Sequence, residues 1–196
     1  MADLSTSYLG LSLKHPIIVG ASPMTGSPDG VARCAAAGAA AVVLPSLFEE
    51  QLQLERYRME RELEKSNNVD AEIASMNPDF AHAGPEEHLM WIRRTRDELS
   101  IPLVASLNCV TPETWADYAE KLEDAGADAL ELNLYHVPLD PDKAGESVER
   151  EQLRIVESVR KAVDIPVSAK LSMFYSNPLN MMKRMAGAGA EIGRAP

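Results

Sequence analysis

Two short patterns recur along this chain, and together they leave few folds open. Ala37-Gly38-Ala39 precedes the apolar run Ala41-Val42-Val43-Leu44, Ala125-Gly126-Ala127 precedes Ala129-Leu130-Glu131-Leu132, and Ala188-Gly189-Ala190 precedes Glu191-Ile192. Glycine just past the end of a helix lets the chain turn left-handed before the next strand, so each of these glycines marks a helix C-terminus. The second pattern is an apolar residue, a proline and a small-apolar run: Ile101-Pro102-Leu103-Val104-Ala105-Ser106 and Ile165-Pro166-Val167-Ser168-Ala169-Lys170, with His15-Pro16-Ile17-Ile18-Val19-Gly20-Ala21-Ser22 as a looser copy. Proline can open a strand but not sit in its middle, and such β-branched runs predict strands buried on both faces. Strand and helix alternating with repeated signatures imply right-handed crossovers and a parallel sheet. The expected fold is therefore α/β, a partial TIM (β/α)8 barrel with about five strand-plus-helix units where a closed barrel needs about eight. The whole chain, 1–196, reads as one incomplete barrel domain: a hairpin around Gly10 in 1–14, five units over 15–190, and a sixth strand that breaks off over 191–196.

The helices carry their own start signals. Thr111 before Pro112, and Asn177 before Pro178, are a capping side chain followed by a proline at the first helical position. Behind the first cap, Trp115, Tyr118, Ala119 and Leu122 share one face, and behind the second the spacing turns Leu179, Met182 and Ala186 inward. Ile155, Val159 and Val163 form the inner face of the helix before Ile165, and Met181, Met182 and Met185 read as gap-filling core. The longest departure is a charged helix over 49–65 with Phe48, Leu52, Met59 and Leu63 on one side, then a polar stretch over 66–82 that reads as a surface loop or a substrate lid. Gly84-Pro85-Glu86-Glu87 opens the next helix with acids in its first turn.

Thirty acidic residues against 19 basic ones give a net charge of −11, which opposes binding to nucleic acid or to an anionic membrane. Cys34 and Cys109 stand far apart and form neither a disulfide framework nor a metal motif. No secretory signal and no apolar stretch long enough to span a membrane is seen, so a cytoplasmic protein acting on a small molecule is expected.

In a parallel sheet the C-terminal strand ends gather on one face, where barrels of this kind do their chemistry. That face collects Ala21 and Ser22, then Ser46, then Ser106 and Asn108, then Asn133, Tyr135 and His136, and finally Lys170 with Ser172. A lysine ending an apolar strand needs a negative partner, either a carboxylate or a ligand that develops negative charge.

These residues carry a resemblance. The hairpin leading into Val19-Gly20-Ala21-Ser22, the strand Glu131-Leu132-Asn133-Leu134 and the strand Ala169-Lys170-Leu171-Ser172 resemble the dihydroorotate dehydrogenase family, in particular its soluble branch and dihydroorotate dehydrogenase-like proteins. The resemblance runs from Leu4 to about Gly189. It implies an α/β barrel holding flavin mononucleotide (FMN) over the strand ends and oxidising dihydroorotate or a related substrate of pyrimidine biosynthesis. It further implies that Ala21 and Ser22 contact flavin, that Asn133 touches flavin and substrate, and that Lys170 lies against the flavin ring. His136 falls where the soluble branch has a catalytic cysteine in N-L-S-C-P-N, and would be the base. Leu44-Pro45-Ser46 stands where the family usually has a second lysine.

Two other readings stay open. One is a truncated, catalytically silent half-barrel that serves as a fragment or assembly subunit, paired with a second copy or with a missing C-terminal half. The other is a phosphate-binding barrel enzyme without flavin.

Overall fold

A computed structural model describes residues 2–48, 85–108, 111–135 and 138–191. The charged helix and lid expected over 49–82, as well as Cys109, His136 and the final strand after Glu191, lie outside the described residues. Two short strands, β1 (Thr6–Tyr8) and β2 (Leu11–Leu13), form an antiparallel hairpin. Then β3 (Ile18–Val19), β4 (Ala41–Phe48), β5 (Leu103–Asn108), β6 (Ala129–Asn133) and β7 (Val167–Lys170) make a parallel sheet in sequential order. Five described helices are interleaved with them: α1 (Pro28–Ala36), α2 (Pro85–Glu98), α3 (Pro112–Asp124), α4 (Gly145–Ala162) and α5 (Pro178–Gly187). Neighbouring parallel strands in chain order, with helices between them, are the half-barrel expected from the repeats.

The Ala-Gly-Ala signature has a full physical account. Gly38, Gly126 and Gly189 have φ of +101°, +98° and +103°. In each copy the glycine N–H bonds the carbonyl three residues back, and the following alanine N–H bonds the carbonyl five back: Ala39 to Cys34 at 3.0 Å, Ala127 to Leu122 at 3.1 Å, Ala190 to Met185 at 3.0 Å. This double closure is the Schellman motif, and in each copy the second alanine and the residue it bonds are buried in the same core. The repeat extends to tertiary contacts. An added Cβ at Gly126 would lie 3.0 Å from Arg96 Cγ, and one at Gly189 would lie 2.8 Å from Arg160 Cγ. Arg96 donates to Asp128 at 2.6 Å, and Asp128 accepts the Leu103 N–H at 2.8 Å, which ties α2 to the starts of β5 and β6. Gly126→Ala is expected to destabilise by about 1–2 kcal/mol from the left-handed backbone alone. It should cost more than Gly38→Ala, which has no neighbour within 4 Å. Equal urea midpoints for the two variants would mean that Arg96 gives way freely.

The hairpin closes the lower end of the half-barrel. Its two-residue turn, Leu9-Gly10, has φ of 53° and 72°, the geometry that matches the twist of a tight hairpin but that asparagine, not leucine, usually opens. The left-handed strain of about 1–2 kcal/mol is offset by burying the Leu9 side chain, worth about 1.5–3 kcal/mol. Leu9 packs there against Val43, Val104 and Ala129, the interior-facing residues of three strands. Leu103, Ala105 and Leu107, with Leu130 and Leu132, point the other way into the main core beneath the helices.

Caps and faces form largely as the residues dictate. The side chains of Thr111 and Asn177 accept from the N–H groups of Thr114 and Asn180, and Trp115, Tyr118, Ala119 and Leu122 are buried. Ile155, Val159 and Val163 are buried, as is Val156 beside them. Two expectations are corrected. On α5 the buried residues are Met181 and Met185, while Leu179 is 77% and Met182 48% exposed. Both phases satisfy helical spacing, and the packing of α5 against α4 and the main core selects the methionines. The strand expected over 15–22 is shorter than its apolar run and not buried on both faces: β3 pairs with β4 alone, and Ile17 is exposed.

Candidate functional site

The interior face of the sheet carries a polar row at mid-height that no single strand reveals. Strand β4 contains Pro45, which has no N–H for the ladder, and the register with β5 shifts between Val43 and Ser46. Three steps along β4 thus match two along β5, from Val43 opposite Val104 to Ser46 opposite Ser106. The extra residue turns Ser46 onto the interior face, where its hydroxyl lies 2.7 Å from that of Ser106. Ser106 donates to Glu131 at 3.4 Å, and Glu131 lies 3.7 Å from the Lys170 ammonium. A row of Ser46, Ser106, Glu131 and Lys170 thereby crosses four strands.

Glu131 was not singled out by sequence reasoning, although a signal existed. In Leu130-Glu131-Leu132-Asn133 the leucines face the helices, so the glutamate must face inward with Asn133. Its side chain is only 19% exposed, whereas that of Lys170 is 59% exposed. The partner that a strand-end lysine requires is thus present, but at 3.7 Å it holds the ammonium electrostatically rather than in a tight hydrogen bond. The rest of the ammonium stays open above the sheet. Asn133 is the register partner of Lys170, so the two residues are neighbours on the interior face.

Not all expected site residues meet in one place. Ala21, Ser22 and Ser46 line a cavity of about 710 Å³ with His88 and Trp91 of α2. Asn108, Asn133 and Tyr135 line another of about 610 Å³ between the starts of α3 and α4, and Phe48 borders both. Lys170 lines neither and stands beside Asn133 at the edge. Ser172 serves its own loop, accepting the Phe174 N–H at 3.3 Å. The end of β6 is fixed from behind by Gln152, whose amide donates to the Leu134 carbonyl at 3.2 Å and accepts from the Tyr175 hydroxyl at 2.7 Å. Burial raises the Tyr175 phenol above its ordinary range, so it remains a donor at neutral pH.

Burial pushes the His88 imidazole down from its ordinary value to about 4. The unfolded chain, titrating near 6.5, then binds more protons than the folded one between pH 6.5 and 4. The resulting stability is fully present above pH 6.5 and is lost as the pH falls to about 4, a change of the order of 3 kcal/mol. Urea midpoints measured from pH 7 to pH 4 should fall less steeply in His88→Phe, and parallel curves would assign the acid sensitivity elsewhere.

Among the described residues no cluster of His, Cys, Asp or Glu is arranged to hold a metal ion, and no helix is long and apolar enough to cross a membrane.

No protein-family model matches the chain. Over 193 residues it is 30% identical to the catalytic subunit of dihydroorotate dehydrogenase B (NAD(+)) of Methanothermobacter thermautotrophicus, covering 97% of this chain and 59% of that protein. The subunit of the same name from Thermoplasma volcanium is 26% identical over 201 residues, covering 98% and 62%, and that of Pyrococcus abyssi 29% identical over 192 residues, covering 94% and 60%. The chain thus spans about 60% of the length of the curated relatives it matches. Among solved structures it is similar to 2,3-dimethylmalate lyase, with a TM-score of 0.56 at 13% identity over 89% of this chain and 54% of the other. It is also similar to phosphonopyruvate hydrolase in complex with oxalate and Mg²⁺, with a TM-score of 0.55 at 20% identity over 90% and 56%. At those identities the likeness concerns the fold alone.

Proposed function

We propose that this chain, related over nearly its whole length to the dihydroorotate dehydrogenases, is the part of such an oxidoreductase that receives flavin and substrate at the C-terminal ends of β3 to β7. The observation that carries this reading is the pair Asn133 and Lys170, register partners on adjacent strands above the carboxylate of Glu131. The donor set fits FMN: an ammonium not consumed by a tight internal bond, next to an amide that can both donate and accept. FMN, when bound, supplies an acceptor for a hydride taken from the substrate. Asn133 would hold a ring carbonyl or amide and orient it, and Lys170 would place positive charge where negative charge develops. Ala21 and Ser22, on the turn after β3, would offer backbone and hydroxyl groups to the cofactor's edge. His136 would take the substrate proton on a ring nitrogen, a task suited to imidazole near neutral pH. The substrate would be dihydroorotate or a related small molecule, and the setting the cytoplasm.

A second reading is favoured by one feature of the residues: Leu44-Pro45-Ser46 stands where the resemblance implies a second lysine. On that reading the half-barrel is catalytically silent and serves in assembly. An absorption spectrum taken after mixing the purified chain with FMN and removing unbound ligand separates the two. A retained flavin band supports the oxidoreductase reading, and a folded sample with no band overturns FMN binding by this chain as it stands.

A further inference from the structure

The surroundings of Glu131 leave part of its carboxylate unexplained by the holding of Lys170. Glu131 stands in register with Ser106 on one side and Ser168 on the other, and Ser46 lies beyond Ser106. Barrel interiors are usually filled by layers of bulky branched side chains. In this layer of β4 to β7 three of the four positions are serine, so Glu131 is its one long side chain. The serines do little to satisfy it. Ser168 donates to the Leu130 carbonyl at 3.1 Å, and Ser106 reaches only Oε1, at 3.4 Å. Lys170 also faces Oε1, at 3.7 Å. Among the described residues Oε2 has no partner, and it is not sealed off but open to solvent in the interior of the sheet.

A carboxylate whose side chain is only 19% exposed, with one oxygen unpaired, marks a place for a donor. Beside it the Lys170 ammonium can only donate. A donor next to an acceptor complements a planar edge in which a carbonyl adjoins an N–H, since each group of that edge then meets its opposite. The pyrimidine part of a flavin ring presents such an edge at O2 and N3–H. It is also the part that carries negative charge in the reduced ring, near N1 and O2, where an ammonium is stabilising. With O2 at Lys170, the neighbouring N3–H falls to the carboxylate.

We propose that Glu131 holds the pyrimidine edge of the flavin ring, its Oε2 accepting from N3–H while Lys170 donates to the neighbouring O2. The inference rests on the FMN reading above and adds to it a residue two positions before Asn133, deeper on the same strand. An ammonium alone would donate to any acceptor on the ring. The carboxylate repels every edge that presents an acceptor to it, which leaves those containing N3–H.

The test compares FMN with 3-methyl-FMN, in which a methyl group replaces the N3 hydrogen, by titrating each with the flavin-free full chain and following flavin fluorescence. A charge-assisted hydrogen bond predicts that FMN binds about tenfold or more tightly than its methylated analogue. In Glu131→Ala that ratio is expected to collapse towards one, because FMN loses affinity while 3-methyl-FMN does not. Any displacement of Lys170 in that variant acts on both flavins and cancels in the ratio. Glu131→Gln, which keeps an oxygen acceptor, should preserve part of the discrimination, and far-ultraviolet circular dichroism checks the fold of both variants. Equal affinity of the unaltered chain for the two flavins would overturn the role of Glu131 while leaving the FMN reading in place, and would assign water to Oε2. Undiminished discrimination in Glu131→Ala would overturn it too, by placing the N3–H against another group. Failure of the unaltered chain to bind either flavin would overturn the FMN reading and this inference with it.

Discussion

Replacing Lys170 by alanine is expected to abolish reduction of bound flavin while leaving the fold intact. The fold should survive because the lysine is largely exposed, and its 3.7 Å pairing with Glu131 is of the screened kind worth about 0–1 kcal/mol. Chemistry should not survive, because a preorganised charge aimed at developing negative charge typically contributes a factor of about 10²–10³ in rate. The measurement is anaerobic bleaching of flavin absorbance by dihydroorotate, with flavin retention measured separately so that loss of binding is not mistaken for loss of reduction. Glu131→Gln should give an intermediate result, since it keeps the ammonium and removes the carboxylate that holds it. A Lys170→Ala chain that reduces flavin at the normal rate would end the proposed role.

The largest expected loss of stability is at Trp115. This residue of α3 is fully buried in the main core between the helix layer and the sheet. Trp115→Ala removes the whole ring from a site that backbone caps and flanking leucines hold open, and is expected to cost about 3–5 kcal/mol. Against a total stability of about 5–15 kcal/mol, that brings the domain near its unfolding threshold. Trp115→Phe should be much milder: it keeps most of the apolar ring and also removes Nε1, which has no hydrogen-bond partner. Urea unfolding with an unchanged slope and shifted midpoints would report both. A cost below about 1 kcal/mol for the alanine variant would show that the neighbouring cavity collapses to fill the space.

The repeats and the parallel sheet agree on the fold, and the local code accounts for why the sequence was so readable. Gly38, Gly126 and Gly189, the caps at Thr111 and Asn177, and the buried face of α3 all form as the residues dictate. Each is decided by groups within about five residues of one another, so the chain itself supplies every partner. The alternation in β6 likewise placed Asn133 on the interior face of the sheet, and the same alternation placed Glu131 there unrecognised.

What the tertiary structure decided lies beyond that range. Whether Lys170 finds its carboxylate on another strand depends on the register of β6 with β7, and Ser46 faces Ser106 only because Pro45 forces an extra residue into β4. The burial of Met181 and Met185 rather than Leu179 and Met182 follows from how α5 docks, since helical periodicity permits either face. The meeting of His88 and Trp91 with the turn after β3 joins segments more than sixty residues apart. Short-range hydrogen bonding writes helix ends and strand faces into the sequence, whereas register and docking are set by the sum of many distant contacts, and in this chain the candidate sites are built from the latter.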